Sequence, residues 1–324
     1  MILGVVDHDR GTADPLSFEM LTFGRRLAER LGVPLHALLI GEASRALTGE
    51  LGAFGVAAAH LATHDLLEDF APAAWAQGVV EVVDAFAPEA VLATGSDRGN
   101  EVLAHAGAKL GLPMAADCIE VVPDEPYLVT RMRWGGSLLE EARLEGIPKL
   151  LSVAPHALAA ETTSAHEPVT VETFTPVLSH DDLRVRVTGR IGAAAGKVSL
   201  PEARVVVGGG RGVGGPDGFR ALEELAALPG GTVGVSRVVT SLGWRPHADQ
   251  IGQTGTRIAP DIYIACGISG AIQHMVGCKA AKRILAINSD RDAPIVAKAD
   301  YAVIGDLHAI VPALTAEIRR RQGR

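Results

Sequence analysis

Asp261-Ile-Tyr-Ile-Ala-Cys-Gly-Ile-Ser-Gly-Ala-Ile-Gln-His274 is an apolar run that stops at a glycine and gives way to small residues, a hydroxyl, an amide and an imidazole. A short apolar run closed by glycine reads as a buried parallel strand, with Gly267 to Ala271 as the turn that hands it to a helix. In a parallel α/β sheet that turn lies at the carboxyl edge, where backbone N–H groups face a phosphorylated ligand. Gly, Ser and Ala let the backbone come close enough to hold a pyrophosphate. Just upstream, Gln250-Ile-Gly-Gln-Thr-Gly-Thr256 offers amides, glycines and hydroxyls again.

Working outward, Ala203-Arg-Val-Val-Val-Gly-Gly-Gly-Arg-Gly-Val-Gly-Gly215 is a second strand running into a glycine turn, followed by a helix over Pro216 to Leu228. Gly210, Gly212 and Gly215 fit G-x-G-x-x-G, which alone is a weak signal. A dinucleotide site of the NAD kind wants an acidic residue about twenty positions on. The corresponding strand, Thr232 to Arg237, ends in Ser236-Arg237 instead, so an ordinary NAD site is not expected. Two further strands, Arg283 to Asp290 and Ala299 to Asp306, end in Asn288, Asp290 and Asp306, side chains suited to ribose or adenine.

A chain of 324 residues exceeds the size at which one core stops growing, so two domains are expected. The alternation Ile2–Val6, helix near Leu16–Leu31, Leu35–Ile40, helix near Glu42–Phe54, Val56–Ala62, helix near Ala73–Phe86, Ala90–Thr94 and helix near Asn100–Leu110 predicts a parallel sheet with right-handed crossovers. From Asp117 onward come consecutive strands, Ile119–Val122, Tyr127–Trp134, Lys149–Val153, Val169–Thr173 and Val185–Val187, read as antiparallel members of that sheet. The small-residue stretch from Ile191 to Pro201 reads as a linker, which divides the chain into 1–192 and 193–324. Strand and helix then alternate to a last helix, Leu307–Arg321, with Arg319-Arg320-Arg321 at its carboxyl end.

Composition narrows the function. With 48% hydrophobic, 21% charged and only 4% aromatic residues, beside 37 glycines, the chain suits parallel α/β architecture. Net charge of −8 argues against nucleic acid as a partner. Cys118, Cys266 and Cys278 make no metal or redox spacing, and His60 with His64 lacks a third ligand, so reduced thiols and no metal site are expected. No signal, transit or membrane segment is read, and a soluble cytoplasmic protein is expected.

These residues resemble a known family, the α subunit of electron transfer flavoprotein. The resemblance runs from Gly209-Gly-Arg-Gly212 through Ser236-Arg237, Gln253-Thr254-Gly255, Gly267-Ile-Ser-Gly-Ala-Ile-Gln-His274, Ala286-Ile-Asn288 and Ala293-Pro-Ile295 to Asp306-Leu307 and Val311-Pro312. It is looser in the first domain, mainly around Gly95 to Glu101. The glycine turn after Gly212 is richer in glycine than is usual there, and Thr130 to Glu145 departs from the family around Arg131-Met-Arg-Trp134.

The resemblance implies an N-terminal α/β domain like the adenine nucleotide α hydrolases, in contact with a β subunit, and a C-terminal doubly wound domain that binds FAD. It implies that Arg237 lies against the flavin ring, that Thr254 hydrogen-bonds flavin N5, and that His274 faces the pyrimidine edge. Arg211 and Ser269 correspond to pyrophosphate ligands, and Asn288, Asp306 and the backbone at Leu307 to adenosine ligands. Ser236, Gln250, Gln253, Gly267, Gly270, Ala271, Ile272 and Gln273 complete the implied cofactor set. Bland alternatives exist for single residues, since arginine is most often a surface cation and a lone histidine a hydrogen-bonded core group. The implied protein is an electron carrier rather than a substrate-converting enzyme, with no catalytic base or nucleophile. It would take electrons from dehydrogenases, such as the acyl-CoA dehydrogenases of fatty acid β-oxidation, and pass them to a membrane quinone oxidoreductase. Its β subunit would carry either AMP or a second FAD. Two other readings of the motifs stand beside it: an NADP-linked flavin reductase, from the glycine turn and Arg237, and a nucleotide-binding regulatory module, from the first domain.

Overall fold

The computed structural model describes residues 1–133, 138–164, 168–189, 199–201 and 203–323. The chain divides into two compact units, Met1–Arg190 and Ile191–Arg324. The expected linker, up to residue 198, lies outside the described residues, as does Trp134.

The first unit is built on β1 (Ile2–Val5), β4 (Leu35–Ile40), β5 (Val56–Ala62), β6 (Ala90–Thr94), β7 (Met114–Val122), β8 (Tyr127–Arg133), β9 (Leu138–Leu144), β10 (Lys149–Val153) and β11 (Thr170–Phe174). Two-residue strands β2 (His8–Asp9) and β3 (Thr12–Ala13) form a separate small ladder. The nine strands pair in the order β11-β5-β4-β1-β6-β10-β7-β8-β9. Pairing is parallel from β11 to β7 and antiparallel across β7, β8 and β9. Successive residues of β1 face opposite sides, so Ile2 joins α1 (Pro15–Leu31) in one core through Met20 and Leu21. Leu3 joins α3 (Pro72–Phe86) and α4 (Asp97–Leu110) in the other through Trp75, Val79 and Leu103.

Three expectations for this unit need correction. The helix expected near Glu42–Phe54 is broken: a 3₁₀ turn Glu42–Leu47, one α turn α2 (Thr48–Leu51) and a second 3₁₀ turn Gly52–Phe54. Gly49, Gly52 and Gly55 explain the break, because glycine carries the largest entropy cost in a helix. Val185–Val187 forms no strand, and its valines, flanked by arginines, are exposed. The strands after Asp117 are not all antiparallel: β10 inserts parallel between β6 and β7, and β11 pairs parallel with β5 at the far edge. Strand β9 was not expected at all.

The second unit is a five-stranded sheet, all parallel, of β12 (Val205–Gly209), β13 (Thr232–Val235), β14 (Ile262–Cys266), β15 (Ile284–Asn288) and β16 (Tyr301–Ile304), in the order β13-β12-β14-β15-β16. Helices α5 (Phe219–Ala227) and α8 (Leu307–Arg321) pack with each other, and Phe219, Leu222 and Val311 share a core with Val207 and Ile287 of the sheet. Helix α7 (Ile272–Cys278) lies on the other face, where Met275 and Cys278 pack with Tyr263, Ile251 and Ile284. Short helix α6 (Arg237–Ser241) follows β13 directly, so Arg237 opens a helix rather than ending a strand.

Candidate functional site

Two loops cross where the small sheet changes its winding direction. The chain passes from β12 to β13 on one side, while β14 lies on the other side of β12. The crevice at the carboxyl ends of β12 and β14 is therefore where a doubly wound sheet takes its ligand. Gly210 N donates to Cys266 O at 2.9 Å and Gly212 N donates to Gly267 O at 3.1 Å. A methyl group on Gly210 would stand 2.2 Å from that Gly267 oxygen, and one on Gly212 would stand 2.8 Å from Gly267 Cα. Only glycine permits this approach. Gly267 has φ of +62°, a left-handed conformation that glycine adopts freely.

Beside the crossing is a cavity of about 230 Å³ lined by Gly212, Gly267, Asn288, Ser289, Gly305, Asp306 and Leu307. Pockets for whole organic ligands run to roughly 300–1,000 Å³, so this one suits one end of a dinucleotide. Asn288 is buried, its Nδ2 donating to Ile268 O at 2.9 Å and its Oδ1 accepting from Asp290 N at 3.0 Å. An amide oxygen has two lone pairs, so Oδ1 keeps one acceptor position. Asp306 Oδ1 accepts from His308 N at 2.9 Å and so caps α8, which fixes the carboxylate at the cavity wall. Of the seven lining residues, Ser289 and Gly305 were missed by sequence reasoning. Ser289 lies between Asn288 and Asp290, and that polar strand end was its only signal.

A second group gathers around α6. Ser236, 8% exposed, has a buried Oγ without a hydrogen-bond partner. Arg237 is exposed, and its Nη1 donates to Thr254 Oγ1 at 3.5 Å. Gln250 is 2% exposed; its Nε2 donates to Thr254 Oγ1 at 3.1 Å, and its Oε1 accepts from Thr240 Oγ1 at 2.7 Å. Thr240 carries no motif and was missed. The loop that holds Gln250 and Thr254 is tied to the start of α7, since Gln253 N donates to Gln273 O at 2.8 Å.

The remaining candidates separate into a rim and a buried pair. Arg211, Gln253, Ser269, Ala271, Ile272 and Gln273 are exposed. Gly270, at φ of +81°, has no room for a Cβ, which would stand 2.5 Å from Ile295 N. His274 is buried against Tyr263, with 2.8 Å between its Nε2 and the tyrosine hydroxyl. Burial holds the imidazole down at a pKa of about 4, although the carbonyl of Ile251 opposes the shift, so the ring is neutral at physiological pH. Burial likewise pushes the Tyr263 phenol well up and the Cys266 thiol up to about 12, so Cys266 is a packing residue and no nucleophile.

These features fit FAD. The glycine crossing lies at the switch point of the sheet, where a doubly wound fold holds a dinucleotide, the cavity accepts one end of the molecule, and the buried Ser236 Oγ has no hydrogen-bond partner among the described residues. Among the described residues, no helix is long and apolar enough to cross a membrane.

Comparison with known proteins gives two family matches. The family described as "Electron transfer flavoprotein domain" matches residues 2–178, and "Electron transfer flavoprotein FAD-binding domain" matches residues 199–279. The electron transfer flavoprotein subunit alpha of Thermoanaerobacterium thermosaccharolyticum is 34% identical over 308 residues, covering 94% of this chain and 93% of that one. Protein FixB of Bradyrhizobium diazoefficiens is 36% identical over 323 residues, covering 98% and 88%. The subunit alpha of Mycobacterium leprae is 34% identical over 325 residues, covering 99% of both.

Proposed function

The chain belongs to the electron transfer flavoprotein α-subunit family, and from that premise we propose a cytoplasmic carrier that takes electrons from soluble dehydrogenases and delivers them to a membrane quinone oxidoreductase. It is an FAD-binding α subunit whose relatives imply a heterodimer with a β subunit. Acyl-CoA dehydrogenases are the donor class we assign, following the resemblance in the sequence.

One observation carries the site assignment: the crossing of the Gly210–Gly212 and Gly267–Ile268 turns, with a cavity on one side. In this reading the glycine turns, with Arg211 and Ser269 on the rim, hold the pyrophosphate. Asn288, Asp306 and the backbone at Leu307 hold the adenosine. Ser236, Arg237, Gln250, Gln253, Thr254, Gly270, Ala271, Ile272, Gln273 and His274 shape the flavin side. The flavin, when bound, supplies the one- and two-electron chemistry. The chain's own residues orient it, exclude water from it and set the charge around it. No buried, activated nucleophile is needed for this work, and the thiol nearest the crossing, Cys266, is held protonated.

The test is direct. The chain, co-expressed with its β subunit, is denatured and the released cofactor identified by chromatography. FAD is expected. Release of FMN, or no flavin from the assembled heterodimer, sinks the reading.

A further inference from the structure

Tyr263 is a fully buried phenol of β14, and its ring lies against Gly208 of β12, where a Cβ would stand 2.2 Å from the phenol oxygen. Among the described residues its hydroxyl has one hydrogen-bond partner, His274 Nε2 at 2.8 Å. The imidazole also meets the carbonyl of Ile251, and its other nitrogen, Nδ1, is buried without a hydrogen bond of regular geometry. Two proton arrangements satisfy the 2.8 Å contact: the phenol donates to a bare Nε2, or a protonated Nε2 donates to the phenol oxygen. The second leaves a buried O–H with no acceptor among the described residues, and leaves the neutral ring no proton for the Ile251 carbonyl. The first gives the phenol proton its acceptor and puts the ring's own proton on Nδ1, free to face that carbonyl. Tyr263 therefore donates to His274.

That direction also sets charge. A hydrogen bond donated to Nε2 favours the neutral imidazole, because an imidazolium would turn an N–H towards the phenol O–H. The neighbouring titratable groups do not offset this. Cys266 on β14 and Cys278 on α7 stay protonated, burial pushing both thiols up to about 12, and the imidazole itself feels only burial and the Ile251 carbonyl. Burial raises the phenol well above its ordinary range too, so Tyr263 keeps its proton to donate. We propose that Tyr263 is a positioning residue that locks His274 as the neutral imidazole with its proton on Nδ1, so that reduction of the flavin brings no proton onto this ring. Being wholly buried, Tyr263 acts through His274 and does not touch the ligand. A flavin gains negative charge on reduction, which raises the proton affinity of any free base beside it. The phenol opposes that uptake, so electrons can enter and leave without a proton following at His274. This rests on the FAD reading above.

The test is imidazole nitrogen NMR on the heterodimer with isotope-labelled histidine, the His274 signals being identified by their loss in His274→Asn. In the unmodified protein at neutral pH, Nδ1 is expected to carry the proton and Nε2 to be a bare, hydrogen-bonded acceptor. Tyr263→Phe keeps the ring and removes the donor, so His274 is expected to bind a proton about 3- to 10-fold more tightly, the range for one neutral hydrogen bond. These signals are read whether or not flavin is present. In FAD-loaded heterodimer, the midpoint potential of Tyr263→Phe is expected to move positive of the unmodified protein as pH falls from about 8 to 5, because a cation then forms beside a ring that takes up negative charge. In the His274→Asn background, Tyr263→Phe is expected to leave that pH profile unchanged, because the ring it acts through is gone. A lower melting temperature for Tyr263→Phe with His274 protonation unmoved shows a merely structural role and overturns the proposal, as does a proton on Nε2 in the unmodified protein at neutral pH. Absence of FAD from the unmodified heterodimer sinks the family reading instead, so the two failures are distinct.

Discussion

Arg237 and Ser236 are neighbours with opposite problems. Arg237 is an exposed cation at the start of α6, while the Ser236 hydroxyl is buried and orphaned. In the proposed site Arg237 lies beside a ring that gains negative charge on reduction, so with Arg237→Ala the flavin midpoint potential is expected to become more negative by about 30 mV for a two-electron couple, equivalent to ~1.4 kcal/mol. Reductive titration checks this, and an unchanged potential places Arg237 away from the ring. Ser236→Ala is expected to weaken FAD binding about 3- to 10-fold while leaving cofactor-free stability unchanged or raised, since an unsatisfied hydroxyl is removed. Isothermal binding and thermal melts separate the two effects. His274 gives a pH prediction. Its folded pKa of about 4 lies below the ordinary 6.5, so between these values the unfolded chain binds the extra proton and stability falls as pH falls. The loss amounts to about 3 kcal/mol by pH 4. Urea titrations at pH 7 and pH 4 should show a smaller drop for His274→Gln; an identical drop means that the imidazole is already protonated in the fold. At this scale the sequence showed the ligand-like residues in dense motifs, but their partners were silent. Tyr263 reads as one more apolar strand position, and nothing in Thr240 reveals that its hydroxyl meets Gln250.

At the scale of elements, the crossing turns are the most constrained part of the second sheet. Gly210→Ala forces a Cβ to 2.2 Å from the Gly267 carbonyl oxygen, a backbone atom that cannot swing away. Overpacking of this kind costs typically about 1–3 kcal/mol, and the variant is expected to melt lower and to lose FAD. If Gly210→Ala keeps both its melting temperature and its FAD, the turns do not approach as described. Parallel strands were legible because burial on both faces writes them as apolar runs: β4, β5, β6 and β10 fall where the sequence placed them. Strand β9 was not legible for the converse reason. Leu138–Leu144 includes Glu140, Glu141 and Arg143, lies at a sheet edge, and buries only Leu144 fully. Val185–Val187 is the opposite error, a pattern of alternation that pairs with no strand among the described residues. Periodicity reports which face is apolar, and pairing depends on a partner that local sequence does not name.

At the scale of the whole molecule, every candidate cofactor residue lies between Gly210 and Leu307, within the second unit, and each unit has cores of its own on both faces of its sheet. The division follows a stretch of small residues after which strand and helix alternation begins again in the sequence. It makes a spatial prediction about stability. A ligand that binds only the folded second unit stabilises that unit by mass action, roughly 2.7 kcal/mol at a hundredfold excess over its dissociation constant. Local opening is governed by the unit in which it occurs, so the gain should appear where the ligand is held. Hydrogen exchange on the heterodimer, with and without FAD, is expected to show slower exchange in the turns after β12, β14 and β15 and at the start of α6 and α8. The central strands β1, β4 and β6 of the first unit should exchange at the same rate in both states. Protection spread evenly over both units would mean that they unfold as one cooperative body, and protection confined to the first unit would place the cofactor at the wrong sheet.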